Sequence, residues 1–202
     1  MAKAPKRHVV RTEKQLKALV SSARQEIVDV LAEMGTVSVA EIAAALGRPA
    51  DALDFHLRAL QRSGLVRQEG FRLRGGRQEA LYRTVAPELF LHYQPASAMN
   101  RRAVTAIVGS MLRLGVRDFR RGFAQTGVNV SGPKRDLWAL RGTGRLTPSQ
   151  VARVNRIIQN LKNTVSGPRT KGRLYGITVL LVPLDRRPRE RNGNRTSPRR
   201  KK

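Results

Sequence analysis

The chain has 202 residues, of which 40 are Lys or Arg and 14 are Asp or Glu, and its formal net charge is +26. A basic surplus of this size predicts an anionic polymer or surface as the binding partner. Hydrophobic residues make up 40% of the chain, so it is long and apolar enough to bury a core, which excludes full disorder. The chain has no cysteine, which excludes disulfides, thiolate nucleophiles and cysteine metal sites.

The charge is unevenly spread along the chain. Residues 1–99 hold 15 basic and 10 acidic groups, residues 100–185 hold 16 and 3, and residues 186–202 hold 9 and 1. The stretch MAKAPKRHVV lacks an apolar signal core, and the longest apolar run, ITVLLVPL at 177–184, is far below the roughly 18–20 residues of a membrane span. We therefore expect a cytoplasmic, nucleoid-associated protein with no membrane partner.

Local signals in the first half predict three helices in succession. A capping box at Thr12–Gln15 precedes an apolar stripe of helical period that Gly35 ends. A second capping box, at Ser38–Glu41, opens a short helix, and Gly47–Pro49 breaks it. A third helix then follows over DALDFHLRAL, residues 51–60.

The pattern changes to a period of two over residues 65–85, which predicts two strands around a hairpin tip at Gly75–Gly76. Further along, residues 100–124 are predicted to form a helix. A third capping box, at Thr147–Gln150, opens another helix, and residues 173–183 are predicted to form a strand.

The segment from Ser21 to Val85 resembles the winged helix-turn-helix domains of the ArsR-like bacterial repressor family. The residues that carry the resemblance are SSARQEIVDVLAEMG, then VSVAEIAAALGRPADALDFHLRALQRSGLV, then EALYRTV. The resemblance implies that the helix over residues 50–63 enters the major groove of DNA and that the hairpin, called the wing, contacts the adjacent backbone. The predicted fold is mainly α with a small β component: a winged helix-turn-helix domain plus a helical C-terminal region that ends in a β-strand.

The sequence also predicts how the chain divides into parts. These are a basic flexible arm over 1–11, a winged helix-turn-helix DNA-binding domain over 12–86, a linker over 87–99, a dimerisation and candidate effector domain over 100–185, and a disordered basic tail over 186–202. Metal sensors of the resembling family bind metal through cysteines or through paired histidines and carboxylates. This sequence has neither arrangement, so we expect no metal and no cofactor.

A helical wheel separates two faces of the third helix, with Leu53, Leu57 and Leu60 inward. The outward positions and the residues just before the helix are the candidate DNA-reading residues: Arg48, Ala50, Asp51, Asp54, Phe55, Arg58 and Arg62.

The charged candidates have different expected roles. Arg58 can reach guanine or a phosphate, whereas Arg62, nearer the helix end, is expected to contact the backbone. Asp54 lies four residues before Arg58, so it either aims the guanidinium or forms a plain surface pair. Asp51 lies in the first turn, where the helix dipole favours negative charge.

Phe55 and His56, the two residues of this helix with ring side chains, have different expected roles. Phe55 contacts a thymine methyl or a ribose edge, or else packs beneath the wing. His56 lies at the border of the two faces. No supporting ligand or acid stands near it in the sequence, so it is expected to be a hydrogen-bonded structural residue rather than a metal ligand or a catalyst.

The wing supplies a second set of candidate contacts, because arginines surround two glycines that permit close approach to a sugar-phosphate backbone. A plain solvent-exposed turn is the alternative. Ser38, at a helix start, is expected to offer backbone donors to a phosphate. The candidate wing residues are Arg72, Arg74, Gly75, Gly76, Arg77 and Gln78.

The basic residues of the second half, among them Arg113 and Arg120, have three open interpretations. They form a solvated face, an extra contact with the DNA backbone, or a pocket for a small-molecule or anionic effector near Trp138. We expect the long helices and the predicted strand at 175–184 to form a two-fold dimer interface.

The leading functional prediction is a homodimeric, sequence-specific regulator of transcription, a repressor that binds double-stranded DNA at a palindromic operator. The alternative is a sequence-tolerant basic protein, architectural or RNA-associated. Gly142–Arg145 lacks the strand and the Lys-Ser/Thr of a phosphate loop, and no histidine–carboxylate constellation occurs in the sequence. We therefore expect no enzymatic activity.

Overall fold

The computed structural model describes residues 7–165 and 172–184. Predicted features outside these ranges are the first six residues of the basic arm, the end of the last helix at 166–168 and the tail at 186–202. The elements in chain order are β1 Arg7–Val10, α1 Glu13–Leu19, α2 Ser22–Met34, β2 Val37–Ser38, α3 Val39–Leu46, α4 Asp51–Arg62, β3 Val66–Arg74, β4 Arg77–Thr84, β5 Glu88–Leu91, α5 Ala98–Phe123 and α6 Pro148–Val165.

The first predicted helix is two helices, because the chain breaks at Val20–Ser21. The Thr12–Gln15 capping box is present and opens α1. At the break, Arg24 donates to the carbonyls of Ala18 and Lys17, and Gln25 Nε2 donates to the Leu19 carbonyl at 2.6 Å. These side chains satisfy the carbonyls that a continuous helix would have bonded internally. The single long helix predicted from the apolar stripe is therefore wrong at this point.

Helices α2, α3 and α4 surround the core that the predicted apolar faces supply. The capping box of Ser38 and Glu41 opens α3, and Gly47 ends it in the left-handed region at φ 61°. The side chains of Leu53, Leu57 and Leu60 are buried as the helical wheel predicts. Their burial turns the opposite face of α4 to solvent.

The predicted hairpin forms as an antiparallel pair of β3 and β4, and β2 adds a third strand beside β4. A register shift between Gln68 and Gly70 bulges β3, the edge strand. At the tip, Gly75 and Gly76 both have positive φ, 55° and 76°. A two-residue turn of this kind strongly favours glycine, so the sequence fixes where the wing turns.

The arm and the linker contain a second small sheet that the sequence did not reveal. Strand β1 pairs in parallel with β5, from Arg7 opposite Glu88 to Val10 opposite Leu91. Val10 is fully buried, so the arm is anchored at this point. The flexible arm over 1–11 and the plain linker over 87–99 are thus corrected over these eight residues. Two four-residue strands separated by almost 80 residues leave little local pattern to detect.

Helix α5 begins as part of the winged-helix core. Val104 and Ile107 are buried with the apolar residues of α1 and α2, and Gln25 Nε2 also donates to the Ile107 carbonyl at 3.3 Å. Asn100, buried at its start, accepts from Gln94 N at 2.8 Å and donates to the His92 carbonyl at 2.9 Å. The second half of α5 leaves this core and exposes Val116 and Phe123.

The capping box of Thr147 and Gln150 opens α6, with both hydrogen bonds present. The strand predicted over 173–183 is absent: residues 173–184 have no regular secondary structure, and no strand in the described ranges pairs with them. A lone strand leaves its backbone groups without partners, so an apolar sequence is not sufficient. This corrects the predicted C-terminal strand.

The extended segment at 173–184 is held by side chains instead. The Tyr175 hydroxyl donates to Asp136 Oδ1 at 2.5 Å, and an Arg173 guanidinium nitrogen lies 3.5 Å from the same oxygen. None of the helices in the described ranges is both long and apolar enough to cross a membrane.

Candidate nucleic-acid interface

The exposed face of α4 forms an open, shallow depression. Its lining contains five of the predicted reading residues, which confirms that they share one surface patch: Asp51, Asp54, Phe55, Arg58 and Arg62, together with Gln61. Gln61 is absent from the predicted set. It lies three residues after Arg58, and that helical spacing was the available signal. Ala50, just before the helix, is also exposed.

The ion pair allowed by the spacing of Asp54 and Arg58 forms, with Arg58 Nη2 3.4 Å from Asp54 Oδ2. Both side chains are largely exposed, so the pair contributes at most a few tenths of a kcal/mol to stability. An approaching polyanion therefore competes with a weak intramolecular partner for the Arg58 guanidinium.

Phe55 does not pack beneath the wing, because 66% of its surface is exposed. Its ring meets that of His56 edge-on, with centroids 5.6 Å apart. Most of the apolar surface of Phe55 therefore stays in water and adds little to the free energy of folding. Packing beneath the wing is therefore excluded, and contact with a thymine methyl or a ribose edge stays a prediction.

His56 is half-buried at the border of the two faces, but the hydrogen bond expected for it is missing. Its Nδ1 is buried, and no partner for this atom occurs among the described residues. Burial lowers the pKa of His56, and the neighbouring charges of Arg24 and Arg48 lower it further. The imidazole is therefore neutral at pH 7, with its Nδ1 held against the protein by packing.

Arg48 forms an internal ion pair, and its predicted contact with DNA stays a prediction. Its Nη2 lies 2.6 Å from Glu26 Oε2, and an Arg117 guanidinium nitrogen lies 2.6 Å from the other oxygen of the same carboxylate. Only 11% of the Glu26 side chain is exposed, so the charges are partly desolvated. This triad connects the loop before α4 with α2 and α5.

The wing tip presents two unpaired arginines. Arg74 and Arg77 face each other at the last register position of the hairpin, on either side of the two glycines. Both are exposed, and no carboxylate in the described part of the chain pairs with either of them. Gln78, the next residue, is also exposed. The tip thus offers two guanidinium groups on a narrow turn.

Arg72 has a different position from its neighbours on the wing. Its Nη2 lies 3.0 Å from Glu41 Oε2 and 3.0 Å from Glu79 Oε2. Its charge is therefore matched within the chain, and the predicted phosphate contact by Arg72 stays a prediction. Through this residue the wing is joined to the start of α3.

Ser38 is likewise occupied by the protein. It is almost fully buried, its side chain accepts from Glu41 N, and its own backbone N donates to Glu41 Oε2 at 2.8 Å. The predicted donation of backbone groups at this helix start to a phosphate stays a prediction. Glu41 therefore has two partners, the cap of α3 and the arginine of the wing.

Replacing Glu41 with glutamine is expected to destabilise the protein by about 1 kcal/mol near pH 7, because it removes the charge from both contacts. The hydrogen bond from Ser38 N, and then Arg72, lower the pKa of Glu41 below its usual 4.5. A lowered carboxylate pKa adds stability above the unfolded-state value, and this stability is lost as pH falls through the folded-state value. The free energy of unfolding, measured with urea, should therefore differ less between wild type and Glu41→Gln below about pH 4.5 than near pH 7.

The matched control for this measurement is Glu13→Gln, which neutralises an exposed glutamate paired with Lys17 in the first turn of α1. That pair should contribute under about 0.5 kcal/mol at any pH. The proposed role of Glu41 would be contradicted if both variants lost the same free energy of unfolding. It would also be contradicted if the loss in Glu41→Gln became larger at acidic pH.

The basic residues of the second half have several environments. Arg117 belongs to the triad with Glu26, whereas Arg113 and Arg120 are exposed on α5. Trp138 is 67% exposed, and the Arg135 guanidinium lies 4.2 Å from its ring centroid. This region therefore presents positive charge to solvent but lacks the paired glycine turn of the wing.

Three packed helices followed by a glycine-tipped hairpin define a winged helix-turn-helix domain, a fold class of DNA-binding regulators. Residues 19–69 match the sequence model of a family described as a helix-turn-helix domain, a family that includes ArsR-like regulators. The match confirms the predicted resemblance over α2, α3, α4 and the start of β3. A search of curated proteins gave no match.

Proposed function

We propose that this protein is a sequence-specific regulator of transcription, a repressor that binds double-stranded DNA as a homodimer on a palindromic operator. The observation that carries the proposal is a pair of exposed surfaces: the face of α4 with Gln61, Arg62 and the weakly paired Arg58, and the wing tip with Arg74 and Arg77. Core packing explains neither surface.

In this proposal α4 enters the major groove. The diameter of a helix with its side chains is about 10–12 Å, which matches the groove width of about 12 Å, and the 12 residues of α4 run roughly 18 Å along the groove. Arg58 reads guanine, Gln61 reads adenine, and Phe55 contacts a thymine methyl. Arg62, near the helix end, holds a phosphate, and Asp54 keeps the Arg58 side chain extended from the helix.

The wing supplies affinity rather than sequence discrimination. Arg74 and Arg77 are brought close to the backbone of the adjacent minor groove by a turn that has no side chain at either central position. Two such units in a dimer would place their reading helices in successive major grooves, roughly 34 Å apart. Residues 100–185 form the dimerisation region and would respond to any small-molecule or anionic effector.

A second candidate function is sequence-tolerant binding, architectural or RNA-associated. It is favoured by the small number of donors on the reading face, against a net charge of +26. Affinity from backbone contacts alone carries no sequence information. This protein would then coat nucleic acid in the cytoplasm without preference for a site.

Selection from a random-sequence duplex pool separates the two functions. The regulator should enrich a palindrome with half-sites one helical turn apart, and its specific binding should exceed its binding to random duplex by at least about 1000-fold at the same salt concentration. The variant Arg58→Ala should lose preference at one position of each half-site while keeping its affinity for random duplex. Flat enrichment, or equal loss on all sequences for Arg58→Ala, would reject the sequence-specific regulator.

A further inference from the structure

One side of the second half of α5 carries a row of arginines. Arg113, Arg117 and Arg120 follow one another at intervals of four and three residues, so they lie on the same side of the helix in successive turns. Arg113 and Arg120 are exposed, whereas Arg117 is half-buried. We call these three residues the α5 arginine row. The helix has six arginines and one acidic residue, Asp118, so its charge is strongly positive.

The α5 arginine row lies between the core side of the helix and an exposed apolar side. The side that faces the core contains the buried residues Asn100, Val104, Ile107 and Ser110. The apolar side contains the exposed residues Leu112, Val116, Phe119 and Phe123. Each arginine of the row directly follows one of the first three apolar residues and is therefore turned by about 100° from it. Burial in the core does not explain Arg113 and Arg120.

The ion pairs of Arg117 place this row next to the reading helix. An Arg117 guanidinium nitrogen lies 2.6 Å from one oxygen of Glu26, and Arg48 Nη2 lies 2.6 Å from the other. Arg48 belongs to the short loop that leads into α4. Along α5, Arg113 lies about 6 Å before Arg117 and Arg120 about 4.5 Å after it, at a rise of about 1.5 Å per residue. The row therefore passes close to the start of α4.

The two ends of the row keep their charge for an external partner. Within the described part of the chain, the salt bridges of α5 involve Arg117 alone, which pairs with Glu26 and with Asp118. Arg113 and Arg120 have no carboxylate partner there, and both side chains are exposed. An anion can therefore bind both of them without first displacing an internal partner.

The spacing of Arg113 and Arg120 indicates which kind of anion fits them. Seven residues of helix separate them by about 10 Å, which is too far for one phosphate group to form short hydrogen bonds with both. A nucleic-acid backbone instead carries phosphates in succession, with one negative charge per about 3.4 Å along each strand of a duplex. Arginine binds such phosphates in bidentate fashion. The row therefore fits a polymer of phosphates rather than a single small anion.

We propose that Arg113 and Arg120 bind phosphates of the DNA backbone beside the segment that α4 reads. This contact lies outside the helix-turn-helix and the wing. It is joined to the start of α4, whereas β3 of the wing begins just beyond the end of α4. The contact supplies affinity and carries no sequence information. The proposal rests on the DNA binding of the proposed function and adds a third contact surface to it.

Binding to a fluorescent random-sequence duplex at several salt concentrations tests the contact. The double variant Arg113→Ala/Arg120→Ala should bind about 30-fold more weakly than the wild type. The slope of log affinity against log salt concentration should decrease in magnitude by about 1–2, because two phosphate contacts are lost. Arg113→Lys/Arg120→Lys keeps both positive charges and should keep the wild-type slope. Wild-type affinity and slope in the alanine variant would overturn the proposal.

The control for this measurement is Arg153→Ala/Arg156→Ala, which removes two exposed arginines from α6. It lowers the net charge by the same amount, and it should change the slope by less than about 0.5. Both alanine variants should keep the wild-type midpoint of thermal unfolding, because all four side chains are exposed. An equal reduction of the slope in the two variants would show that net charge alone governs binding, and the α5 contact would be rejected.

Neutral methylphosphonate groups, placed one at a time along the enriched duplex, locate the contact. The wild type should lose affinity at the phosphates that Arg113 and Arg120 bind, because the modified groups have no charge. Arg113→Ala/Arg120→Ala should be insensitive at these phosphates and should stay sensitive at those that the wing binds. The proposal is refuted if the wild type and this variant respond alike at every phosphate.

The measurements on random and enriched duplexes keep this proposal distinct from the proposed function. Flat enrichment, together with a salt slope that depends on Arg113 and Arg120, would reject the sequence-specific regulator and support the α5 contact. An enriched palindrome that the wild type and Arg113→Ala/Arg120→Ala bind with the same slope would reject the α5 contact alone.

Discussion

Replacing Leu60 with alanine is expected to lower the free energy of unfolding by about 2–5 kcal/mol. Leu60 is fully buried where α4 meets the rest of the core, so the truncation removes apolar contacts and leaves a cavity. Small domains are stable by only about 5–15 kcal/mol, so a loss of this size is a large fraction of the total. Urea unfolding followed by circular dichroism measures it directly.

Arg62→Ala is the matched comparison for this prediction, because Arg62 belongs to the same helix and is exposed. Its stability should stay within about 0.5 kcal/mol of the wild type, while its DNA affinity falls if it holds a phosphate. A loss under about 1 kcal/mol for Leu60→Ala would contradict the packing of α4 described above.

Replacing both Arg74 and Arg77 with alanine is expected to weaken binding to every duplex sequence by roughly 30-fold, if each charged contact contributes about 1 kcal/mol. The slope of log affinity against log salt concentration should decrease in magnitude by about 1–2, because the variant makes fewer phosphate contacts and its binding releases fewer counterions from the DNA. Titration of a fluorescent duplex at several salt concentrations gives both quantities. The enriched sequence should not change.

The control is the double variant Arg153→Ala/Arg156→Ala, which also removes two positive charges, but from exposed positions of α6. It should leave the salt slope nearly unchanged if the wing makes specific backbone contacts. Equal reduction by both double variants would show that total charge governs affinity, and the wing would lose its place in the proposed function.

The positive charge of this protein divides into two groups with different roles. Arg48, Arg72 and Arg117 are matched by carboxylates of the same chain and join the helix-turn-helix, the wing and α5 into one unit. Arg74 and Arg77 have no such partner in the described part of the chain. A nucleic acid can bind Arg74 and Arg77 without breaking an internal ion pair, as it can Arg62, whereas Arg48, Arg72 and Arg117 would have to leave a carboxylate. The number of arginines therefore overstates the affinity that the reading surface can supply.

The Glu26 triad also has a consequence for regulation. The Glu26 carboxylate pairs with both Arg48, before α4, and Arg117, on α5. A movement of α5 would therefore change the ion pair at the start of the reading helix. In the proposed dimer α5 and α6 lie in the region that pairs, so assembly and DNA reading would share this connection.

The sequence by itself determined the features whose signals span a few residues. Three capping boxes, the leucine face of α4 and the glycine turn of the wing all form as predicted, because cap bonds and helical period depend on neighbours three or four positions away. The outward face of α4 followed from the same period.

Only the tertiary structure decided which polar residues are free. Arg48 and Arg72 look available in the sequence, yet each is paired with a glutamate from another element of the fold. The pairing of β1 with β5, the break at Val20–Ser21 and the missing strand at 173–183 have the same origin. The partner of Ser38, by contrast, is Glu41 of the capping box that the sequence predicted. A backbone or charged group takes its partner from whatever the fold places within about 3 Å, and residues distant in sequence give no local sign of that choice.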